Sequence, residues 1–202
     1  MKIKMVTSIA LVIGGFALLV LTTCSASRDK KHFDNSTVTS LNLNDYLGSW
    51  YEIVRKPHVF EKGMTHVKTT YSLLDDGRIE VRNEGIKKGK PKVSIGKART
   101  TSNPGQLKVT FFLFPAEYNI LEVAPDYSYA VIGGSSPKYL WVLSRTPQMD
   151  PALLEGILSR LEARGYDLQD LIYVEQLRAS LHGCGHYKTT SLPSGRGGCL
   201  CL

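Results

Sequence analysis

From residue 41 onward the chain is broken into short runs of alternating apolar and polar residues, split by turn-forming residues about every ten positions. That spacing is the mark of an all-β barrel or sandwich. Eight runs stand out, at residues 50–55, 65–73, 79–83, 93–100, 107–113, 118–123, 129–132 and 140–144. The turns between them are explicit: Asp75-Asp76-Gly77, Lys88-Gly89-Lys90, Asn103-Pro104-Gly105, Ala124-Pro125-Asp126 and Gly133-Gly134-Ser135. Consecutive hairpins predict an eight-stranded antiparallel up-and-down β-barrel. Closure removes the exposed strand edges, and a barrel of this size holds either side chains or one small ligand.

A single strong helical pattern follows the eighth run. Asp150 is placed to cap it and Pro151 to open it, while Leu153, Leu154, Ile157, Leu158 and Leu161 form an apolar stripe that ends at Gly165. The stripe predicts a helix lying on the barrel wall, and residues 171–174 then read as a short ninth strand.

The barrel needs no staples. A chain of 202 residues suffices for one domain with tails. The cysteines are Cys24, Cys184, Cys199 and Cys201, all outside the stretch between Ser25 and Gly183, which excludes a disulfide framework there. The formal charge of +7 includes Lys2, Lys4, Arg178, Lys188 and Arg196 of the two ends, leaving +2 for residues 24–176. This is no general signature for binding polyanions.

The N-terminus reads as an address. Lys2 and Lys4 precede an uncharged apolar run of 17 residues from Met5 to Leu21, as in an export signal. Leu21-Thr22-Thr23-Cys24 resembles the lipobox of bacterial lipoproteins, although Thr23 replaces the usual Gly, Ala or Ser. The resemblance implies a signal peptide at 1–23, acylation of Cys24 and a linker at 24–40. Ser25 resembles the outer-membrane sorting pattern, facing the periplasm. The alternative is an uncleaved anchor with an incidental cysteine. Either reading exports the domain and attaches it to a membrane.

Gly48-Ser49-Trp50-Tyr51-Glu52-Ile53 resembles the Gly-x-Trp signature of the first lipocalin strand. Pro125-Asp126-Tyr127-Ser128-Tyr129-Ala130-Val131 and Leu143-Ser144-Arg145-Thr146-Pro147 stand where the second and third lipocalin motifs fall. Together they identify residues 41–176 as a lipocalin domain, similar to the bacterial and apolipoprotein D branch. The resemblance implies a floor made of Gly48, Trp50 and Arg145, with the arginine packed across the tryptophan. It also implies binding of an apolar lipid, a fatty acid or a lysophospholipid, without catalysis, cofactor or metal, in a lipid carrier serving the envelope.

Period-two alternation from Trp50 assigns the interior. Glu52 and Val54 would share its face; Val67, Thr69, Tyr71 and Leu73 would line the second strand, and Ile79, Val81 and Asn83 the third. Leu107, Val109, Phe111 and Leu113 would follow in the fifth strand, and Tyr139, Trp141 and Leu143 in the eighth. Small Gly96 and Ala98 in the fourth would leave space. The expected cavity set is therefore Val67, Thr69, Tyr71, Val81, Asn83, Ala98, Val109, Phe111, Tyr139, Trp141 and Leu143, apolar and aromatic with a few polar groups. The competing reading is that these side chains simply fill the barrel.

Other classes find less support. Arg78, Arg82, Lys87, Lys88, Lys90, Lys92, Lys97 and Arg99 outnumber Glu80 and Glu84 across the third and fourth strands. On an exported protein this suits anionic headgroups better than nucleic acid, and a solvated hairpin is the plain alternative. His32, His58 and His66 lie in no recognisable catalytic motif. A lipocalin-fold isomerase or de-epoxidase, or a haem or pigment binder, remains the alternative function. The tail at 177–202 reads as a disordered extension; His182, Cys184, His186, Cys199 and Cys201 form an alternative soft-metal set, and Cys199-Leu200-Cys201-Leu202 formally fits a prenylation box.

Overall fold

The computed structural model describes residues 33–176. The expected signal peptide, Cys24 and the tail with its cysteines and histidines lie outside them. Eight strands form the barrel: β1 (Gly48–Arg55), β2 (Met64–Leu73), β3 (Ile79–Lys87), β4 (Lys90–Thr100), β5 (Gln106–Thr110), β6 (Ala116–Val123), β7 (Tyr129–Gly133) and β8 (Leu140–Ser144). Each pairs antiparallel with the next, and β1 pairs with both β2 and β8, which closes the sheet. A ninth strand, β9 (Ile172–Tyr173), adds to β1 opposite Val54 and Arg55.

Connectivity gives the barrel two distinct ends. Strand β1 runs from the floor to the mouth, so the β1–β2, β3–β4, β5–β6 and β7–β8 loops belong to the mouth. The β3–β4 hairpin is longer than the alternation suggests, with Lys87 opposite Lys90. Lys88 (φ 53°) and Gly89 (φ 71°) are both left-handed, the geometry of a two-residue turn whose twist matches the strands and lets pairing continue to the tip.

A four-residue helix, α1 (Leu43–Tyr46), unforeseen from the sequence, precedes β1; Asn42 caps it by accepting from the Asn44 N–H. Helix α2 (Pro151–Ala163) follows β8, with the Asp150 carboxylate accepting from the Leu153 N–H at 2.9 Å. Ile157 and Leu161 are buried against the outer wall, on Ile53, Val54, Leu121, Val131, Leu140 and Val142. Leu153, expected on that stripe, sits at the edge of the arc and stays 38% exposed. Gly165 (φ +88°) ends the helix in the left-handed conformation that glycine adopts freely.

Residues 33–40 also differ from the solvated linker expected there. Phe33 packs edge-on against Tyr166 with centroids 5.5 Å apart. The Asn35 amide donates to the Gly134 carbonyl at 2.8 Å, and the Val38 N–H to the Ile120 carbonyl at 2.9 Å. This stretch is held on the outside of the barrel from the β7–β8 loop down toward the floor.

Candidate ligand-binding interior

The floor is built around Trp50, which is fully buried. Its indole N–H donates to the Tyr46 carbonyl at 2.8 Å, and the Tyr46 ring packs against it at 5.2 Å. Helix α1 serves to deliver that carbonyl and that ring. The Arg145 guanidinium lies over the indole, 3.7 Å from its centroid. It also donates to the carbonyls of Asp45 (2.5 Å), Ser49 (3.0 Å) and Tyr127 (3.2 Å). Gly48 has φ +93°, a left-handed backbone conformation that calls for glycine, and a Cβ there would just touch the Arg145 Nη1 at 3.4 Å. A cleft of about 350 Å³ is lined by Asp45, Pro125, Asp126, Tyr127 and Arg145, residues of the floor rather than of the interior.

Above Trp50 the inner wall is apolar. Tyr71, Val81, Ala98, Val109 and Leu143 are buried in one cluster with Ile79, Leu107, Ile120, Ala130 and Ile132, and Phe111, Tyr118 and Trp141 pack against it partly exposed. Val67 and Thr69 are buried on the same face of β2 as Tyr71. Three tyrosine hydroxyls meet inside this wall: Tyr118 lies 2.5 Å from Tyr46 and 2.7 Å from Tyr71. Burial pushes all three phenols above their ordinary value, so they act as neutral donors and acceptors.

Toward the mouth the interior becomes charged. Arg55, 1% exposed, donates to the Glu52 carboxylate at 2.5 Å and to the carbonyls of Glu61 (3.0 Å) and Met64 (3.1 Å), tying the β1–β2 loop to the barrel. Glu61 accepts from the Trp141 indole at 3.3 Å. The His58 Nε2 lies 2.9 Å from the Glu61 carboxylate, off the line of a directed hydrogen bond. Burial, reinforced by the neighbouring Glu61, pushes the Glu52 carboxyl well above the usual carboxylate range despite Arg55. Burial also raises Glu61, but His58 and Arg55 outweigh it and hold this carboxyl below its ordinary value. Four buried polar atoms find no hydrogen-bond partner among the described residues: Arg55 Nε, both ring nitrogens of His58 and Asn83 Oδ1.

Several expectations from alternation need correction. Val54 faces outward under α2, because a bulge between Glu52 and Val54 places Ile53 and Val54 on one side and returns Arg55 to the inside. Leu113, expected inside, is 85% exposed, because β5 stops at Thr110 and residues 111–115 form the β5–β6 loop. Leu73 is 52% exposed at the floor end of β2. Gly96 leaves no space, since a Cβ there would stand 2.8 Å from the Phe111 ring, which fills it. Asn83 and Tyr139 are half-buried, and Tyr139 stacks on Trp141 at 6.2 Å. Sequence reasoning missed Arg55, Glu61, Tyr46 and Tyr118. The adjacent apolar pair Ile53-Val54, which breaks the alternation, was the available sign of the bulge that turns Arg55 inward.

A closed eight-stranded barrel with a plugged floor, an apolar wall and a polar zone below its mouth is the architecture of a small-molecule-binding barrel. A profile of the lipocalin-like domain matches residues 41–176. The chain is 41% identical over 145 residues to the outer membrane lipoprotein Blc of Vibrio cholerae, covering 69% of this chain and 85% of that one. It is 32% identical over 150 residues to mouse apolipoprotein D, covering 68% and 78%. Among solved structures it resembles insecticyanin from the tobacco hornworm, with a TM-score of 0.59 at 19% identity, over 73% of this chain and 87% of that one. The chain belongs to the lipocalin family.

Proposed function

We propose that this lipocalin is a membrane-anchored carrier that holds one acyl lipid, a fatty acid or a lysophospholipid, in its barrel without turning it over. The observation that carries the reading is the pairing of an apolar inner wall with the Glu52–Arg55–His58–Glu61 cluster just below the mouth. An acyl chain fits the wall. An anionic headgroup would find donors in the buried Arg55 Nε–H and the His58 ring, which make no hydrogen bond among the described residues. About fifteen methylenes would supply roughly 12 kcal/mol of gross transfer energy, which losses of rotational and chain entropy reduce to micromolar or tighter binding.

The cavity residues in this proposal are Val67, Thr69, Tyr71, Val81, Asn83, Ala98, Val109, Phe111, Tyr139, Trp141 and Leu143, over a floor of Gly48, Trp50 and Arg145. The anchor is Cys24, and the location is the bacterial outer membrane facing the periplasm. The lipobox-like Leu21-Thr22-Thr23-Cys24 supports this, as does the name outer membrane lipoprotein carried by the Vibrio cholerae relative. The test is a tryptophan-fluorescence titration with palmitate, using Trp50 and Trp141, the two tryptophans of the chain. Phe111→Asp should weaken binding at least about tenfold, because it places an unpaired charge against the apolar wall; Lys88→Asp at the hairpin tip should leave it unchanged. A folded Phe111→Asp chain that binds palmitate as well as the parent refutes the carrier reading.

A further inference from the structure

The mouth carries apolar side chains that the barrel does not use. Phe112, Leu113 and Phe114 in the β5–β6 loop are 78%, 85% and 83% exposed, and Val59 and Phe60 in the β1–β2 loop are 78% and 66% exposed. Soluble monomers rarely leave large apolar groups so concentrated in solvent. Neither loop is adrift, since Arg55 holds the first through the Glu61 and Met64 carbonyls, and Phe111, lodged against Gly96, anchors the second.

The same end is basic. Residues 57–63, 87–92, 111–116 and 134–139 contain Lys62, Lys87, Lys88, Lys90, Lys92 and Lys138 against a single acid, Glu61. That carboxylate is turned inward to His58 and Trp141. A ring of lysines around projecting phenylalanines and a leucine matches an anionic headgroup layer over acyl chains.

The chain also enters the domain at this end. Asn35 is bonded to Gly134 in the β7–β8 mouth loop. From Cys24 to Phe33 the backbone spans at most about 32 Å, roughly the length of a ten-residue strand. A lipid anchor on Cys24 therefore lets the mouth, where the described chain begins, reach the bilayer with slack.

We infer that the mouth face docks on an anionic phospholipid bilayer, with Phe112–Phe114 and Val59-Phe60 entering the headgroup–acyl boundary, so that the barrel opens onto the membrane. This deepens the proposed carrier function and rests on the lipid anchor for the tether argument alone. The test uses the mature chain carrying Cys24→Ser, which removes the acyl anchor and keeps the whole domain. It is mixed with vesicles of phosphatidylethanolamine and phosphatidylglycerol that contain brominated acyl chains. A tryptophan introduced by Leu113→Trp should be quenched severalfold more, over the parent background, than one introduced by Ser102→Trp in the β4–β5 loop at the floor end.

The triple substitution Phe112→Ser, Leu113→Ser, Phe114→Ser should lower vesicle affinity at least about tenfold, and replacing phosphatidylglycerol by phosphatidylcholine should lower it as well. Equal quenching at the two reporters, or no vesicle binding by the parent, overturns the inference. So does a dimer in solution that the triple substitution splits, since the apolar groups would then belong to a second copy. If docking fails while an acyl lipid still extracts from the purified chain, the docking surface falls and the carrier function stands. Selective quenching of Leu113→Trp in a chain that binds no acyl ligand separates the two the other way.

Discussion

Replacing Arg55 with leucine removes a buried cation that ties the β1–β2 loop to the barrel mouth. The guanidinium makes one charged bond to Glu52 and two to loop carbonyls, at 1% exposure. Its loss leaves the Glu52 and Glu61 carboxyls in the barrel mouth without the guanidinium that faces both. Breaking a buried pair from one side costs about 3–5 kcal/mol, which lowers the midpoint of a domain of this size by roughly 6–20 °C. The deficit should depend on pH with a definite sign. Burial already pushes Glu52 up, and without Arg55 it rises further. A carboxyl whose folded value exceeds its unfolded value, about 4.3, favours the folded state below that value and loses this contribution as pH rises through the folded one. Arg55→Leu should therefore be mildest near pH 4.5 and worst near pH 8, and Arg55→Leu with Glu52→Leu should recover most of the loss at pH 8. Urea unfolding followed by tryptophan fluorescence at pH 4.5, 6 and 8 measures this. A deficit that is flat with pH, or below about 1 kcal/mol throughout, refutes the reasoning.

At the floor, Trp50→Ala should cost about 3–5 kcal/mol for a large buried aromatic, read by thermal melting; a shift within error would remove the Arg145–Trp50 contact from the account. Cys24→Ala should abolish incorporation of a fatty-acid analogue into the chain, and unchanged labelling would defeat the lipoprotein reading.

The strands were legible because one face of each is buried, so alternation and turn residues report them directly. The capped helix α2 was legible for the same reason at a period of 3.6. Places where the interior was misread are places where the period breaks. At Ile53-Val54 a bulge spends two consecutive apolar residues on the outer face, and so Arg55, polar and assigned nowhere, became the centre of the mouth cluster. At Phe111–Phe114 four apolar residues run together before Pro115, which marks the end of a strand rather than its continuation. Tyr46 and Tyr118 enter the interior through contacts distant in sequence, Tyr46 from a four-residue helix with no periodic signature. Floor residues were placed through family resemblance, since no local pattern brings Arg145 to Trp50.

Native mass spectrometry of the mature chain purified from its own membrane, followed by lipid extraction, tests the carrier account most directly. The account predicts one acyl lipid, a fatty acid or a lysophospholipid, per barrel, lost on Phe111→Asp. A chain that arrives folded and consistently empty, and takes up no acyl lipid when one is offered, contradicts it.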